Sequence, residues 1–248
     1  MSFVGIEDDE GVTVVTLTRP PANALDPALV AGLLRALEQL HRERPAAVVL
    51  AGSGGFFSGG ADLRVVPELS TDKQAQMVRD VNKLFSGWHE FPRPVVTAVN
   101  GHAVAGGLVL ALCGDYRVAS SSARFGLTEA RVGIPFPSAA IGVVQAELSP
   151  HVVRRMVLGA ELIDSSTALA WDVVDEVVVE EAVLARSLAV ARERSQLPPN
   201  TYELVKRRVR AGTSAGTRGL FRDDAGRWDA FEAQDAAPAV LENRQPDP

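Results

Sequence analysis

Short runs of apolar, largely β-branched residues alternate with longer segments in which apolar residues recur at helical spacing. Consecutive β-branched residues favour an extended backbone, so the short runs predict strands. The predicted strands cover residues 11–17, 46–51, 95–99 and 116–119. The predicted helices between them cover residues 26–42, 72–90 and 105–113. The first helix has a typical start, because Asp26 can cap it and Pro27 suits its first position.

The alternation of strand and helix predicts an α/β fold. After about residue 140 the pattern becomes mainly helical, with segments at residues 152–158, 180–196 and 202–210. The last segment carries a basic cluster, for which we expect a solvated helix face, with contact to a ligand phosphate as the alternative. Its members are Lys206, Arg207, Arg208 and Arg210.

Composition excludes several classes of protein. The 248 residues are 46% hydrophobic and 23% charged, as in ordinary globular proteins, and a formal charge of -6 argues against nucleic-acid binding. A single cysteine, Cys113, rules out an intrachain disulfide framework. The N-terminus resembles no signal peptide, and no apolar run is long enough to span a bilayer, so we expect a cytoplasmic protein.

Common cofactor motifs are missing. The glycine-rich stretch 52–60 has Phe57 where a dinucleotide fingerprint needs its third glycine. No glycine run leads into the Lys-Ser/Thr pair of a P-loop, and the four histidines lack metal-ligand spacing. We therefore predict neither a bound cofactor nor a metal.

Two strand-to-glycine junctions are the candidates for chemistry. Gly59 and Gly60 follow one predicted strand, and Gly106 and Gly107 open a predicted helix after another. Backbone N–H groups of glycine can approach a ligand oxygen closely, and those at a helix start have no internal acceptor. A pair of such donors can stabilise an enolate or oxyanion, each contributing roughly 3–4 kcal/mol to lowering the barrier.

Glu129 is the candidate acid/base. It lies in FGLTE, among apolar and small residues, and VGIP follows it. A carboxylate removed from water has a raised pKa and is a stronger base. The alternative is a structural carboxylate that is paired with Arg131.

Five sequence blocks, in this order and spacing, resemble the enoyl-CoA hydratase/isomerase (crotonase) superfamily over about residues 11–180. They are NAL at Asn23–Leu25, FSGGADL from Phe57, AVNGHAVAGG from Ala98, DYRVAS from Asp115, and FGLTE with VGIP from Phe125. The resemblance implies an α/β spiral of ββα units over residues 1–195. It also implies a helical C-terminal region at 196–248 that forms homotrimers or dimers of trimers.

The same resemblance implies the roles of individual residues. The oxyanion N–H groups would be those of Gly59 and Gly106, with Glu129 as the catalytic residue. Coenzyme A, as part of the substrate, would lie along residues 22–25 and 59–63, and Arg64 is a candidate for its phosphates. The predicted contacts with acyl-CoA are Ala22, Ala24, Leu25, Ala61, Asp62, Leu63, Arg64 and Val109. Asp62 is expected to be a structural turn residue and not a base.

One departure from the family pattern separates the possible reactions. Hydratases of this family carry a further glutamate three residues after the second oxyanion glycine, where this chain has Val109. Valine cannot hold or activate water, and no acid occurs between Asn100 and Gly114. A single base favours a double-bond shift from 3-enoyl-CoA to 2-enoyl-CoA. A hydratase and an acyl-CoA-binding protein without turnover remain the alternatives.

Overall fold

The computed structural model describes residues 3–211, and the strands of this part of the chain form two sheets. The larger sheet has six strands. In spatial order they are β1 (Val4–Asp9), β2 (Val12–Leu17), β3 (Ala47–Gly52), β5 (Val95–Val99), β7 (Tyr116–Ser120) and β10 (Glu176–Val178). β1 is antiparallel to β2, and every other pairing in this sheet is parallel.

The smaller sheet has four strands of three residues each. From one edge to the other they are β4 (Phe56–Ser58), β6 (His102–Val104), β8 (Arg124–Gly126) and β9 (Leu162–Asp164). The first three are parallel to one another, and β9 is antiparallel to β8. None of these short strands was predicted from the sequence.

Helices follow the strands in a repeating order. They are α1 (Pro27–Glu43), α2 (Thr71–His89), α3 (Gly106–Leu112), α4 (Ser138–Glu147), α5 (Pro150–Val153), α6 (Ser165–Ala170), α7 (Val183–Ser195) and α8 (Pro199–Val209). Short helical turns cover Val66–Glu68, Glu129–Val132, Arg154–Leu158 and Glu180–Ala182. From β3 onward, three successive units place one strand in the large sheet, the next in the small sheet and then a helix. The predicted spiral of ββα units is therefore confirmed.

The strand and helix positions follow from local sequence. Asp26 accepts the Leu29 N–H at 2.8 Å and so caps α1, as its place before Pro27 predicted. The side chains of β3 are buried on both faces of the sheet, because α1 and α2 cover one face and α7 covers the other. This double cover explains why the central strands β3 and β5 are almost wholly apolar.

The C-terminal region corrects one expectation and leaves another as a prediction. Lys206 and Arg210 are each only 7% exposed and are ion-paired with Asp115, so neither lies on a solvated face nor is free for a phosphate. Arg207 and Arg208 are exposed as expected. The predicted boundary at 195/196 coincides with the end of α7, whereas residues 212–248 of the predicted trimerisation region lie outside the described residues.

Candidate active site

Three parallel strands of the small sheet bring the candidate residues to one edge. Gly59 and Gly60 follow β4, Gly106 follows β6, and Glu129 follows β8. Adjacent strands lie roughly 5 Å apart, so the three segments are neighbours in that order. The crevice beyond the carboxyl ends of parallel strands is the usual place for a ligand in α/β folds.

The two glycine segments approach each other too closely for side chains. A Cβ atom on Gly60 would lie 2.7 Å from the Ala105 Cβ and 3.0 Å from the Gly106 N. Gly60 also has a φ of 79°, which disfavours other residues. A Cβ atom on Gly107 would lie 2.0 Å from the Ser58 carbonyl oxygen. Glycine at these positions is therefore required for the two junctions to meet.

The Gly106 N–H opens helix α3. The Ala105 carbonyl accepts the N–H groups of Leu108 and Val109, at 2.9 and 3.2 Å, and the Gly106 N–H has no acceptor within residues 3–211. A Cβ atom on Gly106 would lie 3.3 Å from Leu25 and 3.5 Å from Phe85. An unpaired donor beside apolar side chains suits a ligand oxygen, because little water competes there.

The Gly59 N–H, in contrast to that of Gly106, already has a hydrogen-bond acceptor. It donates to the Ala22 carbonyl at 2.8 Å, so a substrate oxygen would have to replace that carbonyl as its acceptor. The Gly60 N–H has a long bond, 3.3 Å, to the Ser58 hydroxyl. The pairing of Gly59 with Gly106 as an oxyanion hole therefore stays a prediction that requires a small movement of the Ala22 loop.

The predicted coenzyme A segments pair with each other. The Leu25 N–H donates to the Gly60 carbonyl at 2.7 Å, and the Asp62 N–H donates to the Leu25 carbonyl at 3.0 Å. The side chain of buried Asn23 donates to the carbonyls of Ser53 and Phe56. These bonds connect the segment 22–25 to the loop before β4 and to the first residue of β4. Of the other predicted contacts, Ala22, Ala24 and Ala61 are half-buried, whereas Leu63 and Arg64 are exposed.

Arg19 was not predicted as a site residue, yet it joins these two segments. Its guanidinium forms ion pairs with Asp62 at 2.7 Å and with Asp26 at 3.0 Å, and it donates to the Ala24 carbonyl at 3.2 Å. The Asp62 carboxylate also accepts the Arg64 N–H. Asp62 thus has the structural partners expected of a turn residue. The sequence signal for Arg19 was its place directly before the Pro-Pro-Ala-Asn loop.

Glu129 is buried, and no charged side chain of residues 3–211 pairs with it. It is 6% exposed, and its Oε2 atom has no hydrogen-bond partner among the described residues. Burial raises the pKa of the Glu129 carboxyl to about 8, since the charged form loses its hydration. Arg131, the alternative partner, is exposed and forms no ion pair with Glu129. A carboxyl with this pKa can both accept and return a proton near neutral pH.

Val109 belongs to the apolar core. Its side chain is fully buried in α3, three residues after Gly106, and no carboxylate is present on this helix. Within residues 3–211, no group of histidine, cysteine and carboxylate side chains could hold a metal ion. No helix in the same range is both long and apolar enough to cross a membrane.

Comparison with known proteins finds similarity to one family along almost the whole chain. The family model for enoyl-CoA hydratase/isomerase matches residues 7–246. A Thermus thermophilus protein with an enoyl-CoA hydratase name is 33% identical over 216 residues, or 85% of each chain. A Bacillus subtilis protein named "Probable enoyl-CoA hydratase" is 27% identical over 99% of this chain and 98% of its own.

Solved structures carry names of both activities. A Mycobacterium tuberculosis structure called a probable enoyl-CoA hydratase has a TM-score of 0.87 at 29% identity, covering 92% of this chain and 96% of that one. Another structure of that same protein calls it an enoyl-CoA isomerase. Human mitochondrial Δ3-Δ2-enoyl-CoA isomerase has a TM-score of 0.87 at 28% identity, covering 94% of this chain and 93% of its own.

Proposed function

This chain belongs to the enoyl-CoA hydratase/isomerase family, and on that premise we propose that it moves the double bond of a 3-enoyl-CoA to the 2-position. One observation supports this choice within the family. Glu129 is a buried carboxyl without an ion-pair partner within residues 3–211, and Val109, which is also buried, occupies the position where family hydratases have their other glutamate. A single base beside an apolar wall suits proton transfer better than water addition.

The proposed reaction moves one proton between two carbons. The Glu129 carboxylate removes a proton from C2, and the electrons pass to the thioester oxygen to give an enolate. The N–H groups of Gly106 and Gly59 donate to that oxygen. Protonated Glu129 then returns its proton to C4, and the enolate electrons form the double bond between C2 and C3. No water or cofactor is consumed.

The raised pKa of Glu129 suits both halves of this cycle. A base with a pKa of about 8 takes a proton from carbon more readily than an ordinary carboxylate does. Its conjugate acid remains able to protonate C4, because the negative enolate is a much stronger base. The same burial limits the access of water to the site, which disfavours the addition of water to the conjugated 2-enoyl product.

The deciding experiment is a product analysis with paired substrates. Purified protein is incubated separately with a 3-enoyl-CoA and a 2-enoyl-CoA in water labelled with heavy oxygen. We expect the 3-enoyl ester to become the conjugated 2-enoyl ester without incorporating label. Rapid hydration of the 2-enoyl ester, with the 3-enoyl ester left unchanged, would contradict the proposal.

Hydration is the second candidate, because hydratase names are common among the relatives. Hydration requires a second group that donates or accepts a proton. The appearance of labelled oxygen in a 3-hydroxyacyl product would demonstrate this activity. An acyl-CoA-binding protein without turnover is the third candidate. Tight binding of both esters with neither consumed would support it and would exclude both enzyme activities.

A further inference from the structure

Charged side chains are buried together on the side of the molecule where α8 packs. Lys206 Nζ lies 2.7 Å from Asp115 Oδ2, and Arg210 Nη2 lies 3.1 Å from both Asp115 Oδ1 and Glu147 Oε1. His89 Nε2 lies 2.9 Å from the same Glu147 oxygen. Lys206 is the only buried residue of α8, and Arg210 is the residue that ends it. Helix α8 is therefore attached mainly through buried charges.

Arg210 does more than pair with carboxylates. Its guanidinium donates to the carbonyls of Cys113 and Gly114, each at 3.2 Å, and to the carbonyl of His89. Cys113 and Gly114 follow the last residue of α3, and His89 is the last residue of α2. The final carbonyls of a helix have no internal donors, and a cation beside them interacts favourably with the helix dipole.

These two helices also border the candidate oxyanion donor. The other end of α3 is Gly106, whose N–H has no acceptor in the described chain, and Phe85 of α2 lies beside it. Helix α3 has seven residues and is therefore about 10 Å long. A short, buried helix moves as a rigid unit, so contacts that fix its end also fix the position of its first N–H.

We propose that Arg210 is a positioning residue that sets the location of the Gly106 N–H by holding the ends of α2 and α3 together. The inference rests on the proposed function, since it treats that N–H as a donor to the substrate oxygen. It extends the site to a residue at the end of α8 that touches neither substrate nor Glu129. A displacement of about 1 Å in a reacting group can reduce a rate roughly 100-fold.

The test compares two substitutions in the same charged cluster. Arg210→Lys keeps the positive charge near Asp115 and Glu147, but one ammonium group cannot reach three carbonyls arranged around a planar guanidinium. Lys206→Met removes a charge from the cluster without touching the α3 carbonyls. Arg208→Lys, on the exposed face of α8, is the matched control for the conservative change.

We expect Arg210→Lys to lower kcat for 3-enoyl-CoA isomerisation about 10- to 100-fold, while the Kd for butyryl-CoA changes less than threefold. Lys206→Met should lower the Tm and leave kcat within about threefold of wild type. Hydrogen exchange of the α3 amides should be faster in Arg210→Lys than in Arg208→Lys. The inference is overturned if kcat is unchanged in Arg210→Lys, or if kcat, butyryl-CoA affinity and Tm fall together in both cluster variants.

The exchange measurement separates this inference from the proposed function. Inactive wild-type protein with slow α3 exchange that Arg210→Lys accelerates would refute the isomerase proposal and support the role of Arg210 in positioning α3. Active wild-type protein with α3 exchange unaffected by Arg210→Lys would support the isomerase proposal and refute the role of Arg210 in positioning α3.

Discussion

Two glutamates of this chain, one buried and one partly buried, have pKa values that are shifted in opposite directions. Glu129, at the edge of the small sheet, has an oxygen without a partner in the described part of the chain, and burial raises the pKa of its carboxyl to about 8. Burial also acts to raise the pKa of Glu147. The hydrogen bond from His89 and the charges of Arg210 and Arg117 outweigh that effect, so the pKa of Glu147 lies below its ordinary value.

The difference shows that the partners of a buried carboxyl decide what it can do. Glu147 is ionised in the folded protein and pairs with Arg210, which attaches the end of α8 to the rest of the chain, and with Arg117 of β7. Glu129 has no cation beside it within residues 3–211, so its protonation changes near neutral pH. One arrangement serves the stability of the fold, and the other is suited to moving a proton.

The largest effect should come from removing the unpartnered carboxyl. Glu129→Gln keeps the size of the side chain but cannot accept a proton, so we expect kcat for isomerisation to fall about 10³- to 10⁴-fold. The Kd for butyryl-CoA should change less than threefold, since the oxyanion donors remain. Glu38→Gln, on the exposed face of α1, is the control. Wild-type turnover in Glu129→Gln would exclude Glu129 as the base.

The same substitution at the paired carboxyl should act on stability. Glu147→Gln leaves the buried guanidinium groups of Arg210 and Arg117 with fewer countercharges. Breaking a buried ion pair costs about 3–5 kcal/mol, and we expect the lower end because Glu147 is partly exposed. Urea unfolding at pH 7 measures the difference, with Glu161→Gln on the surface as the control. A loss below about 1 kcal/mol would show that the cluster is not important for stability.

The sequence predicted one of these two environments much better than the other. Glu129 could be found because its neighbours in the chain are apolar and because the FGLTE block resembles a known family. The partners of Glu147 cannot be found that way, since Asp115, Glu147 and Arg210 are far apart in sequence and meet only after folding. For the same reason the bond from Gly59 to the Ala22 carbonyl was not foreseen.

The strands of the fold also differ in whether the sequence predicted them. Four of the six large-sheet strands, β2, β3, β5 and β7, were predicted from apolar, β-branched runs such as AVVLA in β3, which is buried on both faces, whereas β1 and β10 were not predicted. The small-sheet strands are three residues long and follow glycine-rich or polar loops, so no periodicity can develop. β1 was missed because its acidic residues at 7–9 lie on an edge strand, where exposed charge is tolerated.

Removing the Glu129 carboxyl should also change how stability depends on pH. The folded pKa of Glu129, about 8, is above the ordinary glutamate pKa of 4.5, so its protonated form stabilises the fold fully below about pH 4.5. That contribution is lost as the pH rises towards 8, at up to roughly 1.4 kcal/mol per pH unit. Glu129→Gln has no such group, and its stability relative to wild type should rise by about 3 to 4 kcal/mol between pH 5 and 8. Urea unfolding at each pH measures the free energy of unfolding of both proteins. A difference between them that does not change with pH would contradict the raised pKa of Glu129.

Arg19 is a charged residue near the candidate site that, unlike Glu129, is ion-paired, and its substitution should change the kinetics least. It is a partly buried cation shared by Asp26 and Asp62, and it holds together the segments along which we expect coenzyme A to lie. Arg19→Lys keeps the charge but cannot bridge both carboxylates and the Ala24 carbonyl at once.

We therefore expect the KM for 3-enoyl-CoA to rise about 10-fold, equivalent to about 1.4 kcal/mol of lost binding, with kcat within threefold of wild type. Arg35→Lys, exposed on α1, controls for the exchange of one basic side chain for another. If kcat falls and KM does not change, Arg19 acts through the Gly59 segment and the oxyanion donors. In that case, the charge near the coenzyme A segments would affect the chemical step instead of substrate binding.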